Sequence, residues 1–408
     1  MSGPGSPPGA PARSFLADVQ PYRMLFPLGA AGAIAGVLPW ITLALGRGGW
    51  PGMLHASVMM QGFELAFVTG FLLTAMPAFT HGPKCRPWEL ALTALGVVAV
   101  VLLRFADQEP SAHAAFALTL AFATFALGRR VRFGAAAPPE EFAMVAIGMA
   151  LGIAGGVMQA LSAAGLATEP SPRFGLHLVS RGMMLAVVLG LGGLLVPTFA
   201  LVPDPLRITG VARAGERPPR RAFVAALALL IAGAMTAEAL QHPLLAAWIR
   251  VAAAAASLLL AWKLWRFPGK PARLPWALWS AGALTLLGLF TAAIFPAHEI
   301  AAWHITFIGG YGLLTIAIAT RVTTSHGGHG LADEARVLGV PALACLALAL
   351  LVRIGAGEVD PRLARMLAIA AALWSIAWTL WLAAALPRVF KTKRALMMPG
   401  AGAQPKRS

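Results

Sequence analysis

The chain has 408 residues, 58% of them hydrophobic and only 12% charged, where a soluble domain is about a quarter charged. That excludes a soluble globular enzyme. The net charge of +16 is spread between apolar runs in the pattern of membrane insertion, which excludes nucleic acid as the partner.

In chain order, the lead "MSGPGSPPGAPARSFLADVQ" lacks the basic and apolar blocks of a signal peptide, so residues 1–21 are expected to be a disordered cytoplasmic lead. A spanning helix needs roughly 20 apolar residues. Such runs are predicted near 24–45, 56–77, 88–104, 111–128, 141–163, 177–201, 222–241, 243–266, 274–296, 300–320, 336–354 and 363–385. The expected fold is all-α and polytopic, with about twelve transmembrane helices in one membrane domain over 22–387 and a basic cytoplasmic tail over 388–408. Assigning the 32 Lys and Arg to alternate faces places 24 with the termini and the even-to-odd loops and 8 opposite. Basic loops stay cytoplasmic, so both termini are expected there. "RPPRR" at 217–221 and "KTKR" at 391–394 fall on that side.

Several chemistries are missing. Cys85 in a basic inner loop and Cys345 inside the eleventh span make neither a disulfide framework nor a Cys-rich metal site. There is no P-loop, dinucleotide glycine fingerprint, CxxCH or HxxxH, which excludes an ATP-driven pump and covalently attached haem. Trp40, Trp50, Trp88, Trp276 and Trp303 near span ends read as interfacial anchors.

On this topology His55, His113, His177, His242, His298 and His304 fall toward the outer face, and His81, His326 and His329 toward the inner one. His55, His177 and His304 stand at the outer ends of spans two, six and ten. "GFLLTAMPAF" after His55 and "GLGGLLVPTF" after His177 are loosely alike, so three four-helix units are expected. Neutral imidazole is a ligand for haem iron and copper that brings no charge into the membrane, and two on different helices suit a haem gripped from both faces. The alternative for each is a helix-end histidine bonded to water, the expectation for His113, His242 and His329. His81 and His326, at the inner ends of spans two and ten, are further candidate metal ligands, and "SHGGHG" at 325–330 reads as a flexible loop.

Glu64 lies nine residues after His55. At about 100° per residue it faces the opposite side of an α-helix, roughly 13 Å deeper. It is therefore expected to be a buried acid apart from any site at His55: a proton or ion relay, or the partner of an arginine. Arg181, one turn after His177, needs a nearby anion, for which haem propionates, Glu64 or water are candidates. Arg250 is expected to pair or to snorkel to a boundary.

"HASVMMQGFELAFVTGFLLTAMPAFTHG" and "WHITFIGGYGLLTIAIATRVTTSHGG", with "YRMLFPLGA" at 22–30 and more loosely "GLGGLLVPTFAL" at 192 and its surroundings, are similar to segments of the NnrS family of bacterial inner-membrane proteins. The match covers His55, Met59, Gly62, Gly70 to Ala75 and Pro77 in the first segment, and His304, Thr320, Arg321 and His326 in the second. The resemblance implies haem b, copper and a role in the response to nitric oxide and nitrosative stress. This chain departs where the family has His-Ala-His-Glu-Met: it reads "HASVM", with Ser57 and Val58 in place of a histidine and an acid. Leu194 also stands where a basic residue is expected. Copper is left open by these changes. The histidines of spans two, six and ten also resemble the plan of haem-copper oxidases, which assigns His55 and His304 as the axial pair and His177 to a second metal. The expected function is a haem-binding membrane protein that meets nitric oxide. A proton- or sodium-coupled transporter and a nitric-oxide-reducing enzyme are the alternatives.

Overall fold

The computed structural model describes residues 20–170, 173–201, 220–269, 271–356 and 362–390. Within them lie twelve helices long and apolar enough to cross a membrane, and no strand. They are α1 (Tyr22–Ala44), α2 (Gly52–Thr80), α3 (Pro87–Phe105), α4 (Glu109–Arg132), α5 (Phe142–Ala163) and α6 (Phe174–Phe199). The second half comprises α7 (Arg221–Ala239), α8 (Pro243–Ala261), α9 (Arg273–Ile294), α10 (Pro296–His326), α11 (Leu331–Gly355) and α12 (Leu363–Phe390). The chain is thus a multi-pass membrane protein that implies a lipid bilayer around it. Residues 1–19 of the lead, "RPPRR" up to residue 219 and the tail beyond 390 lie outside the described residues.

Burial divides the helices into two kinds. In their most apolar stretches α2, α6 and α10 are 78%, 83% and 72% buried, while none of the other nine exceeds 50%. Three helices therefore make the centre and nine surround them, turning side chains such as Leu95, Leu102 and Leu229 outward, where hydrocarbon is the solvent. The ring closes because α12 packs against α1. Close approach to a central helix uses small residues: a Cβ on Gly288 of α9 would stand 2.6 Å from the Thr306 backbone nitrogen of α10.

The central helices share an irregularity. Each is α-helical up to a histidine or a residue soon after it, in α10 following a 3-10 turn at Pro296–His298, then changes to π-helix: Val58–Glu64 in α2, Leu178–Met183 in α6 and Ile305–Gly312 in α10. A fourth π segment, Ser257–Ala261, lies in α8. Such segments are rare and concentrate at functional sites, and their recurrence after His55, His177 and His304 follows the four-helix spacing.

The end of the bundle where residues 22 and 390 lie is called the terminal end, its opposite the distal end. At the terminal end α10 continues to His326, six residues past the predicted boundary, with Thr320 and Thr324 turning their hydroxyls back to carbonyls of their own helix. "SHGGHG" is therefore not a free loop: Ser325 and His326 are helical and α11 starts at Leu331. His329, expected in a solvated loop, has a side chain only 4% exposed beside Asp333. Charged groups lace this end, with Arg130 Nη2 2.7 Å from buried Glu89 and Arg321 Nη1 2.7 Å from Glu334. Burial pushes the thiol of Cys85, between α2 and α3, up to about 11, so it is protonated and no nucleophile at neutral pH.

Candidate functional site

At the distal end α2, α6 and α10 splay around a cavity of about 450 Å³. Its walls are largely apolar, with Met59, Met60, Phe63, Phe307 and Trp374, and its polar lining is His55, Glu64, His177, Ser180 and Arg181, with His304, Arg173 and Arg353. His55, His177, His304, Arg181 and Glu64, widely separated in sequence, thus line one space.

His55 and His304 form its most ordered feature. Their rings are parallel to within 6° and their centroids stand 6.3 Å apart. Each is held by a backbone carbonyl at Nδ1: His55 by Gly36 at 2.9 Å and His304 by Ile300 at 2.6 Å. A carbonyl only accepts, so Nδ1 carries the proton and Nε2 keeps its lone pair, the state in which imidazole binds metals. The local chain supplies the first of these acceptors. Pro39 interrupts α1, whose helical stretches are Tyr22–Ala35 and Leu38–Ala44. Trp40 N–H then turns to Val37 O at 3.1 Å, one residue short of its α-helical partner Gly36, and Gly36 O is left to the imidazole. Trp40 also meets the His55 ring edge-on at 5.6 Å.

His177 is held differently. Its Nδ1 contacts the carboxylate of Glu238 on α7, which also takes Arg250 of α8 and, at 3.4 Å, Arg181. Arg181 reaches on to Glu299 at 2.6 Å and lies 4.9 Å over the Trp303 ring, whose Nε1 donates to Glu299 at 3.3 Å. Glu238 and Glu299 thus supply anions near Arg181. Arg250, 1% exposed, pairs with Glu238 and does not snorkel. Through Glu299 and Trp303 this network touches the short helical stretch, Glu299–His304, that ends in His304.

Two placements correct the sequence expectations. Glu64 does not point away from the histidine side, because the π segment Val58–Glu64 winds less per residue than an α-helix and brings it to the cavity floor. There it is 2% exposed and accepts a hydrogen bond from Thr315 Oγ1 at 3.3 Å. His113 is not a solvated helix end: it is 4% exposed and its Nδ1 lies 2.8 Å from Gln61 Oε1. Its helix packs that end of α4 against the central α2, which a count of apolar residues does not reveal.

The remaining histidines lie elsewhere. His81 is exposed and ends α2 in a left-handed conformation, φ 50°. His326 is partly buried at the end of α10, 5.9 Å from the Tyr22 ring. Neither lines the cavity, and His242 and His298 are exposed. Ser57 is fully buried and also does not line it. Among the described residues no group of three or more His, Cys, Asp or Glu could hold a metal ion. Glu238, the hub of the charged network, carries no sequence signal beyond being an acid near the end of an apolar helix; that alone could have marked it.

No curated protein matches the chain. The profile of the family described as "NnrS protein" matches residues 19–393, all twelve helices included, and the chain belongs to the NnrS family.

Proposed function

We propose that the protein binds a b-type haem between His55 and His304 and acts with it in the bacterial response to nitric oxide. The observation that carries this is the parallel pair of imidazoles 6.3 Å apart, each with its Nδ1 on a carbonyl. A metal–imidazole nitrogen bond is about 2.0–2.1 Å and a ring centroid lies about 1 Å beyond its nitrogen, so one metal bound end-on by both rings needs centroids roughly 6 Å apart. Haem brings its own equatorial nitrogens and asks the protein for one or two axial ligands, which two imidazoles at this separation can supply; a copper ion held by three or more His, Cys, Asp or Glu side chains finds no such group among the described residues. The chain's own contribution is to fix both tautomers, to surround the site with apolar side chains that exclude water, and to place cationic Arg173, Arg181 and Arg353 within a cavity that must take two carboxylates. Haem would supply iron for electron exchange or for a diatomic gas dissolved in the bilayer.

The test is the absorption spectrum of the purified protein, where a Soret band with the pattern of two imidazole ligands is expected. A colourless, folded protein overturns the proposal and favours the transporter alternative; nitric oxide consumption with an electron donor would favour the enzyme. The same proposal places the protein in the inner membrane with both termini cytoplasmic, as the Lys and Arg distribution requires. A periplasmic reporter active when fused at the C-terminus would reverse the bundle and put the histidine cavity on the cytoplasmic side.

A further inference from the structure

Glu64 stands where two cavities meet. It lines the floor of the space that carries His55 and His304, and it also lines a second cavity of about 70 Å³ that runs between α1, α2, α6 and α10 with Thr315 as its other polar group. One water needs roughly 10–15 Å³ and polar partners, so the smaller cavity has room for water beside the carboxyl. Among the described residues Glu64 makes no ion pair, and Thr315 occupies only its Oε2. The titratable and charged groups around it come from few helices. From α10 come His304, which lines the larger cavity, and buried Tyr311, whose hydroxyl has no hydrogen-bond partner among the described residues; from α6 come His177 and Arg181, with Arg173 just ahead of that helix, and from α11 Arg353. The lining from α1 and α12 is uncharged, while α3 and α4 bring Arg104, paired with Glu109, and His113, bonded to Gln61 of the same π segment.

We infer that Glu64 is a proton site linked to the oxidation state of the group between His55 and His304, with the smaller cavity as its water-filled approach. On one-electron reduction of the site by an external one-electron reductant, Glu64 would take up one proton at Oε1, the oxygen that Thr315 leaves free, from solvent hydronium relayed by water beside it, and would return it on oxidation. One O–H bond of the hydronium breaks as one forms on Glu64, so one electron and one proton enter together and the charge enclosed by the cavity is unchanged. The reason is electrostatic: with no cation paired to Glu64, an added electron and a carboxylate repel strongly in a site walled by hydrocarbon, and a proton removes the repulsion. The inference rests on the haem reading above.

The experiment is a redox titration of the purified holoprotein, followed by its visible spectrum, in the wild type and in Glu64→Gln and Glu64→Asp. Between about pH 6 and about pH 8 the wild-type midpoint potential should fall with rising pH, toward the ~59 mV per unit that accompanies one proton per electron. Glu64→Gln should flatten that slope while keeping the spectrum, and Glu64→Asp should restore it. The reduced-minus-oxidised infrared spectrum should contain a carboxylic acid band that Glu64→Gln removes. A potential independent of pH in the wild type, or a slope and band unchanged in Glu64→Gln, overturns the inference and leaves haem binding standing. A protein with no visible absorption overturns both. If Glu64→Gln does not fold, the wild-type slope and the infrared band of Glu64→Asp, shifted from that of the wild type, decide the matter.

Discussion

Replacing His55 or His304 with Ala is expected to remove or change the haem spectrum, with either change alone sufficient. Each imidazole is prepared separately, His55 by Gly36 of α1 and His304 by Ile300 of its own helix, and no second histidine on either helix lines the cavity to take its place. Loss of an outer-shell partner costs roughly 10–100-fold in metal affinity, and loss of the ligand itself should cost more. The control is His242→Ala, because His242 is exposed and outside the cavity. His113 does not serve as one, since its bond to Gln61 ties α4 to the π segment beneath His55. His177→Ala should leave the two-imidazole spectrum in place, because its ring is committed to Glu238. Two-imidazole character surviving in both the His55 and His304 variants would sink the assignment.

Replacing Glu238 with Ala is expected to be the most destabilising single change in the distal half. Its carboxylate is 5% exposed and meets His177, Arg181 and Arg250. Without it Arg250, also buried, keeps its charge and loses the partner. Removing one member of a buried pair typically costs about 3–5 kcal/mol, whereas replacing both with apolar side chains of similar volume is often neutral or better. Glu238→Ala should therefore lower thermal stability and folded yield sharply, and the double variant Glu238→Leu with Arg250→Met should recover most of the loss. A denaturation midpoint for Glu238→Ala equal to that of the wild type would show that the network carries no stability. Because Arg181 continues to Glu299 and Trp303, a stability loss accompanied by a shifted haem spectrum would further place the network among the supports of His304.

What could be read from the amino-acid sequence was whatever the bilayer dictates locally. The twelve spans, the all-α class and the family resemblance follow from runs of apolar residues and short motifs, since hydrocarbon makes each helix satisfy its own backbone. That His55 and His304 lie at the same end of the bundle was legible too, because each stands near the start of an even-numbered span.

The tertiary structure alone decided what depends on helix phase and on contacts between helices far apart in the chain. Glu64 reached the cavity floor through a π segment, and an assumed 100° per residue cannot foresee a change in winding within an otherwise regular apolar run. Glu238 became the shared partner of three residues from α6 and α8, and His113 found Gln61. Apolar periodicity tells which face of a helix is buried, but it does not tell which helix the face will meet. In this chain the polar neighbours of His55, His304 and Glu64 come from such meetings, which is why the surroundings of these residues could not be read from the sequence.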